Sequence, residues 1–540
     1  MFRTTAAVLT VISFLLTSGL ASAVVCDEPV EVASGMVLGQ ADTETATCSW
    51  LGIPYAAPPV GELRWKAPAP VPDWEGVYKA DTLSNRCAQK GLMKMLDSDK
   101  FGEISEDCLY LNVWRPEKSG PFPVMVWIHG GGYTGGTANS EMYWGDRLAD
   151  AGDVVLVSMN YRLNVFGFLA HPALREDDPD ASTGSYGSLD QVAAIQWVQD
   201  NIEFFGGDPN NVTIFGESAG GWSVCTMLAS PLNKGKIHGA VLESGGCIAS
   251  ASLEKGYEQA RGVAEKLGCG FDDLDCMRAA SMEDLLEASG SQLDGFVWVP
   301  HHDGHLLTSS PLDMISDGDY NKVPFIAGFN RDEVDAPIKL LPTMKYKMFN
   351  NYPKMYRDLL GMDEEESERV AALYPLSEHN GKPAQAFGQA ATDAGLACPT
   401  YDGLMAASLH QEDTWLYRFD FDEMKHGKFV GAFHAMEIPF IFDSHDRKPV
   451  SIIYNKKKIK NAEPLTDIMQ LYWVNFAAEG DPNGEGLPEW PPFDPDSKML
   501  IVLDMNTRPE PAGMTEKCAF WEAYNKRHGP IFEDLRRFIE

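Results

Sequence analysis

The sequence predicts an α/β fold built on a large, mostly parallel central sheet flanked by helices, and three observations carry that prediction. Short apolar runs alternate with a stretch of helical period between residues 124 and 244, glycines stand where a run ends, and the chain is long enough for an extensive core. Residues 124–128 and 154–158 are apolar runs of strand length. Leu189, Val192, Ile195, Val198 and Ile202 then recur at the spacing of one helix face, and residues 212–215, 240–242 and 325–329 supply further strands. Strands separated by helical segments pair in parallel, because a parallel neighbour needs a crossover long enough to hold a helix.

The 540 residues are 44% hydrophobic, and no Pro/Gly/Ser-rich linker, low-complexity stretch or internal repeat divides them. One large domain with insertions, spanning 24–540, is therefore expected behind an N-terminal segment, 1–23. That segment has Arg3, an apolar run over 6–16 and then Ala21-Ser22-Ala23, the pattern of a signal peptide cut before Val24. No later run reaches the roughly 18 apolar residues of a membrane span, and Arg537-Phe538-Ile539-Glu540 is neither a lipidation nor a retention signal, so no stable membrane anchor is expected. The formal net charge of -34 excludes nucleic acid as a partner, since that binding rests on basic patches. Ten cysteines in an exported chain imply disulfides. Cys269-x6-Cys276 suggests a local loop, and Cys26 and Cys48 flank a hairpin-like stretch that would let them pair.

The chemistry concentrates where a strand meets a helix. Gly216-Glu217-Ser218-Ala219-Gly220 follows the strand at 212–215, and glycines two places either side of Ser218 permit the sharp turn of a nucleophile elbow, the signature of the α/β-hydrolase fold. Such a turn lifts the serine above the carboxyl edge of the sheet, and the next helix directs the positive end of its dipole toward an oxyanion. Upstream, His129-Gly130-Gly131-Gly132 follows a strand directly, where this architecture places its other oxyanion donors. Either glycine motif alone reads equally as a tight turn. Both in this order point to catalysis.

A serine hydroxyl needs a histidine to take its proton and a carboxylate to hold that histidine, in the chain order Ser, acid, His. Asp332, Glu333 and Asp335 follow the strand at 325–329, and six histidines lie beyond them. Spacing does not choose among these.

A longer series of motifs resembles the type B carboxylesterases, the family that includes cholinesterases and fungal-type lipases. It comprises Gly52-Ile53-Pro54-Tyr55-Ala56, Glu106-Asp107-Cys108-Leu109-Tyr110-Leu111-Asn112, His129 with its three glycines, Tyr161-Arg162-Leu163-Asn164, Gly167-Phe168, and Phe205-Gly206-Gly207-Asp208-Pro209 ahead of the elbow. The resemblance implies the α/β-hydrolase fold, with helical insertions forming a gorge. It also implies Glu333 as the triad acid, in Gly328-Phe329-Asn330-Arg331-Asp332-Glu333, and His434 as the base. His434-Ala435-Met436-Glu437 departs from the usual His-Gly-Tyr-Glu beside the histidine, not at it. Gly131, Gly132 and Ala219 would form the oxyanion hole, while Glu217 and Ser244 would orient the acid and the histidine. Arg64 with Glu106 is similar to the family's buried ion pair. By the same resemblance Cys87 pairs with Cys108, Cys269 with Cys276 and Cys398 with Cys518, leaving Cys225 and Cys247 as buried thiols.

The reaction so implied is hydrolysis of small-molecule carboxylic esters through an acyl-enzyme on Ser218, with no metal and no organic cofactor. His301-His302-x-x-His305 has some of the spacing of a metal site, but Asp303-Gly304 resembles a turn the family keeps there. Cholinesterases hold a quaternary ammonium on a tryptophan in the loop closed by the first disulfide; residues 88–107 contain none, and Phe101 is a weaker substitute. Phe296-Val297-Trp298 and Trp222 are candidates for an acyl pocket and equally for core. A general carboxylesterase is the expectation. A lipase or cholinesterase-like esterase with the same triad is the alternative, and a non-catalytic recognition module is disfavoured because all three triad positions are occupied.

Overall fold

The computed structural model describes residues 26–42, 44–90, 101–290, 298–334 and 351–529. The expected signal segment 1–23, and Phe296, Val297 and Asp335, lie outside the described residues.

An 11-stranded sheet forms the centre. In chain order its strands are β1 (Gln40–Asp42), β2 (Thr47–Pro54), β3 (Tyr110–Pro116), β4 (Phe122–Ile128), β5 (Val155–Met159), β6 (Gly207–Glu217), β7 (Gly239–Glu243), β8 (Phe325–Asn330), β9 (Thr414–Phe419), β10 (Met499–Leu503) and β11 (Arg508–Pro511). The spatial order is β11-β10-β9-β8-β7-β6-β4-β5-β3-β2-β1. Every neighbouring pair from β5 across to β10 is parallel, and antiparallel strands close both edges. The expected strands all form: four extend beyond their apolar runs, because backbone pairing continues past the hydrophobic side chains, and the run at 154–158 pairs one residue later, over 155–159.

Side chains alternate between two cores, one on each face. Val124, Val126, Ile128 and Ile214 enter one, while Met125, Trp127 and Phe215 enter the other. Helices α1 (Tyr186–Asn201), α2 (Ala219–Ala229) and α3 (Cys398–Ser408) cover the first face, and α4 (Lys456–Glu479) lies on the second through Leu465, Met469, Trp473 and Phe476. The registers Gly216 to Ile128, Glu217 to Glu243 and Glu243 to Gly328 bring β4, β6, β7 and β8 to an end at one level. That carboxyl edge is where a parallel α/β sheet offers a crevice to ligands.

Five disulfides staple this frame: Cys26–Cys48, Cys87–Cys108, Cys225–Cys247, Cys269–Cys276 and Cys398–Cys518. The third corrects the expectation that Cys225 and Cys247 are buried thiols. Cys225 lies on α2, which packs beside β7, and the chain leaving β7 carries Cys247 back to a Cα separation of 5.3 Å. Nothing in a sequence separation of 22 announces that approach.

Candidate active site

Ser218 stands at the junction of β6 and α2 with φ 60° and ψ -123°, a conformation that a non-glycine residue adopts only when its surroundings impose it. They do so by close packing. A Cβ on Gly216 would lie 2.6 Å from the Ile128 carbonyl oxygen, and one on Gly220 would lie 2.0 Å from the same atom, so the chain can turn here only with glycine at both places. The Ser218 amide donates to the Glu243 carbonyl at 2.9 Å and fixes the turn to β7. From Val212 to Ser230, Ser218 is the one residue that is not buried.

The glycine loop lies directly beside it. A Cβ on Gly130 would meet the Glu217 carbonyl oxygen at 2.6 Å and the Ser218 Cβ at 2.9 Å. Gly131 and Gly132 then take φ of 114° and 61°, and among the described residues neither amide is donated to a protein acceptor. The amide of Ala219, opening α2, has no acceptor within the helix. His129 braces the loop from behind. It is buried, stacked on Tyr161 at 4.5 Å, and its carbonyl accepts from the Tyr161 hydroxyl at 2.8 Å; burial holds its pKa down at about 4, so it is neutral.

The acid and the histidine arrive on the loops after β8 and β9. His434 Nδ1 donates to Glu333 Oε2 at 2.7 Å, the His434 amide donates to the Glu333 carbonyl at 3.1 Å, and Glu333 Oε1 accepts from the Asn330 amide at 2.7 Å. Both oxygens of Glu333 are therefore engaged. Asp332, the alternative acid, accepts instead from Arg331 at 2.8 Å and from the Ala432 amide at 3.0 Å. Of the other histidines in this stretch, His426 is exposed and His445 is buried against Phe440 and Tyr454. Ala435, where the related motif has glycine, sits at φ 66°, so the departure costs backbone strain next to the histidine.

His434 Nε2 faces Glu217 Oε1, on the residue next to Ser218, at 3.1 Å, and its side chain is 32% exposed. Behind it Glu437 accepts from Asn330 Nδ2 at 2.5 Å and from the Ser244 hydroxyl at 3.5 Å. Glu217 thus touches the histidine, whereas Ser244 reaches Glu437 and not the acid Glu333. Burial pushes Glu217 up to about 8 and Glu437 up to about 7, with neighbouring carboxylates adding to both. Burial alone would lower His434, but the charges of Glu217, Glu333 and Glu437 outweigh it and push the imidazole up to about 10. The Glu243 carboxyl is wholly buried and among the described residues has a single partner, Trp473 Nε1 at 2.7 Å; burial raises its pKa well above the ordinary glutamate value. Glu437, Asn330 and Glu243 were given no role from sequence; a polar residue ending an all-apolar strand, as Asn330 ends β8, is the signal that was there to read.

A serine stands at a strained strand-to-helix turn on a parallel sheet beside unshielded amides, and the residue before it meets a histidine held on a carboxylate. A family model described as the carboxylesterase family matches residues 27–521. The chain belongs to the carboxylesterase family. It is 35% identical to a para-nitrobenzyl esterase of Bacillus subtilis (strain 168), over 86% of this chain and 92% of that protein. It is 33% identical to a liver carboxylesterase of Sus scrofa, over 94% and 95%. Among solved structures, a thermophilic PNB esterase superposes with a TM-score of 0.78 at 32% identity, covering 92% of this chain and 100% of its own. The fold is that of the α/β-hydrolases, and the protein is a carboxylic ester hydrolase.

Other residues singled out from this carboxylesterase's sequence have their places. Arg64 clasps Glu106 through Nε at 2.8 Å and through Nη2, and its Nη1 donates to the carbonyls of Arg278 and Ala280 at 2.6 and 2.8 Å. This ties the start of the chain to a distant helix. Trp222 packs on Tyr133 at 5.8 Å and Trp298 is buried in the same core; Phe101 is buried as well. The three histidines at 301, 302 and 305 turn to three different partners, the Gly184 carbonyl at 2.8 Å, the Ser250 hydroxyl at 2.8 Å and Asp180 at 4.0 Å. Among the described residues no helix is long and apolar enough to cross a membrane.

Proposed function

We propose that this carboxylesterase is exported after cleavage before Val24, leaving residues 24–540 as a single domain, and that it hydrolyses its esters by two-step acyl transfer. Ser218 attacks the carbonyl while His434 takes its proton. The oxyanion is held by the amides of Gly131, Gly132 and Ala219, and His434 then protonates the departing alcohol. Water repeats the sequence on the acyl-enzyme. Glu333 holds the imidazole with Nδ1 protonated and stabilises the imidazolium, while Glu217, and Glu437 with Ser244 behind it, position the histidine and its charge. The observation that carries this reading is the 2.7 Å hydrogen bond from His434 Nδ1 to Glu333. It leaves Nε2, which faces Glu217 beside Ser218, as the nitrogen to take the serine proton. Export is supported by five disulfides that a reducing compartment would not sustain.

The substrate class is tested with p-nitrophenyl esters from acetyl to palmitoyl, choline esters and emulsified triglyceride. Short and medium acyl esters are expected to turn over below their solubility limits. Activity confined to emulsions would contradict a general carboxylesterase in favour of a lipase, and a steep preference for choline esters would favour a cholinesterase.

A further inference from the structure

The amides that acyl transfer would aim at the oxyanion come from two separate elements, the glycine loop 130–132 after β4 and the first residue of α2. Donors from two elements serve one oxygen only if those elements keep their separation and tilt. On the helix side, the carbonyl of the Ser218–Ala219 peptide accepts from the Trp222 amide at 2.9 Å. On the loop side, the Gly131 carbonyl accepts from the amides of Thr134 and Gly135, each at 3.1 Å, which closes a turn around Tyr133.

Tyr133 reaches from the loop to the helix. It follows Gly132 directly, takes φ of 56°, in the left-handed region that a side chain disfavours, and is fully buried. Its carbonyl accepts from the Asn164 amide at 2.7 Å. Its hydroxyl meets the hydroxyl of Ser223, on α2, at 3.0 Å. Ser223 Oγ in turn donates to the Ala219 carbonyl at 3.0 Å and accepts from Gln191 Nε2, on α1, at 2.9 Å.

A serine hydroxyl offers one proton and two lone pairs. With the Ser223 proton on the Ala219 carbonyl, the Tyr133 phenol is the donor to Ser223, and the serine is then fully engaged. Burial pushes the Tyr133 pKa up, so the phenol keeps its proton at neutral and mildly alkaline pH. The ring packs on Phe168 at 4.8 Å, a contact that phenylalanine would also make. What tyrosine adds is the donor.

We propose that Tyr133 is a positioning residue for the oxyanion hole: its hydroxyl, through Ser223, clasps the glycine loop to the elbow helix, so that the amides of Gly131 and Gly132 converge with that of Ala219 on one oxygen. Two hydrogen bonds carry the link from loop to helix, and Gln191 anchors the shared serine to α1. The proposal rests on the acyl-transfer reading. Since the oxyanion exists only after attack, loss of the clasp falls on the transition state and not on the binding of the ester.

The test is Tyr133→Phe in the full-length protein, assayed with p-nitrophenyl acetate after active sites have been counted by fluorophosphonate titration carried to completion. Turnover per titrated site is expected to fall about 10-fold, less than the loss of a whole oxyanion donor, with KM changed by less than about twofold and the pH limbs unmoved. Affinity for an alkyl trifluoromethyl ketone, which takes up the serine as a tetrahedral oxyanion, should fall by the same factor. Ser223→Ala should lose at least as much, and adding Tyr133→Phe to it should cost nothing further, because both cut one link. Gly130→Ala, which displaces the loop directly, separates the two readings. If it weakens the ketone and Tyr133→Phe does not, the oxyanion hole stands and the clasp is overturned; if neither variant weakens it, both are overturned. A Tyr133→Phe protein with a lower Tm but the parent's turnover per site and ketone affinity would also overturn the proposal, leaving the hydroxyl a role in stability alone.

Discussion

Ser218 and its glycines are held by chain geometry within a few residues, whereas Glu333 and His434 meet across a separation of 101 residues through hydrogen bonds between two loops. The first half is set by carbonyl oxygens and missing Cβ atoms, and His129, which braces it, is held neutral by burial. The second half is made of ionisable groups, and its working state depends on which carboxylates are charged. Substitutions in the first half should therefore lower the rate uniformly, and those in the second should move its dependence on pH.

The largest effect belongs to the elbow. Ser218→Ala is expected to lower kcat for p-nitrophenyl acetate by about 10⁴-fold or more, with circular dichroism unchanged, and substantial residual turnover would place the nucleophile elsewhere. Next comes Gly130→Ala, whose new Cβ would lie 2.6 Å from the Glu217 carbonyl and force the loop away from Ser218. A loss of about 10² to 10³ in kcat at every pH is expected, the scale of a lost oxyanion donor; a loss confined to low pH would contradict the comparison.

Glu217→Gln addresses the other half. The carboxylates hold His434 protonated to higher pH than an ordinary histidine, and Glu217 contributes most among them. A general base must be neutral, so activity should climb as pH rises through that raised value. Removing the Glu217 charge lowers it and should move the acid limb of the kcat/KM profile toward lower pH; an unmoved limb would remove Glu217 from the account.

The smallest effect is on stability. The folded state binds the Glu243 proton more tightly than the unfolded state, which loses it near the ordinary glutamate value, so stability falls as pH rises above that point. Glu243→Gln retains an acceptor for Trp473 and escapes the loss. It should raise Tm by about 2 °C at pH 8 and have less effect near pH 4, as thermal melts at both values would show.

The same division governs what could be read before the fold was known. The strands of the parallel core and the elbow were legible because an apolar run and the spacing of Gly216, Ser218 and Gly220 are local statements. Glu333 and His434 were not separable from Asp332 or from the other histidines by spacing, and family resemblance alone singled them out; the structure then shows Asp332 turned to Arg331. Glu437 and Asn330 went unassigned since their contact spans 107 residues. Cys225 and Cys247 were misjudged because their pairing depends on α2 lying along β7.

The central claim is that Ser218 carries the acyl group, and active-site labelling tests it most directly. Treatment with a fluorophosphonate, followed by intact-mass and peptide analysis, should give one adduct per chain on Ser218, rising in step with the loss of esterase activity. Complete inactivation with the adduct on another residue, or with Ser218 unmodified, would contradict the account.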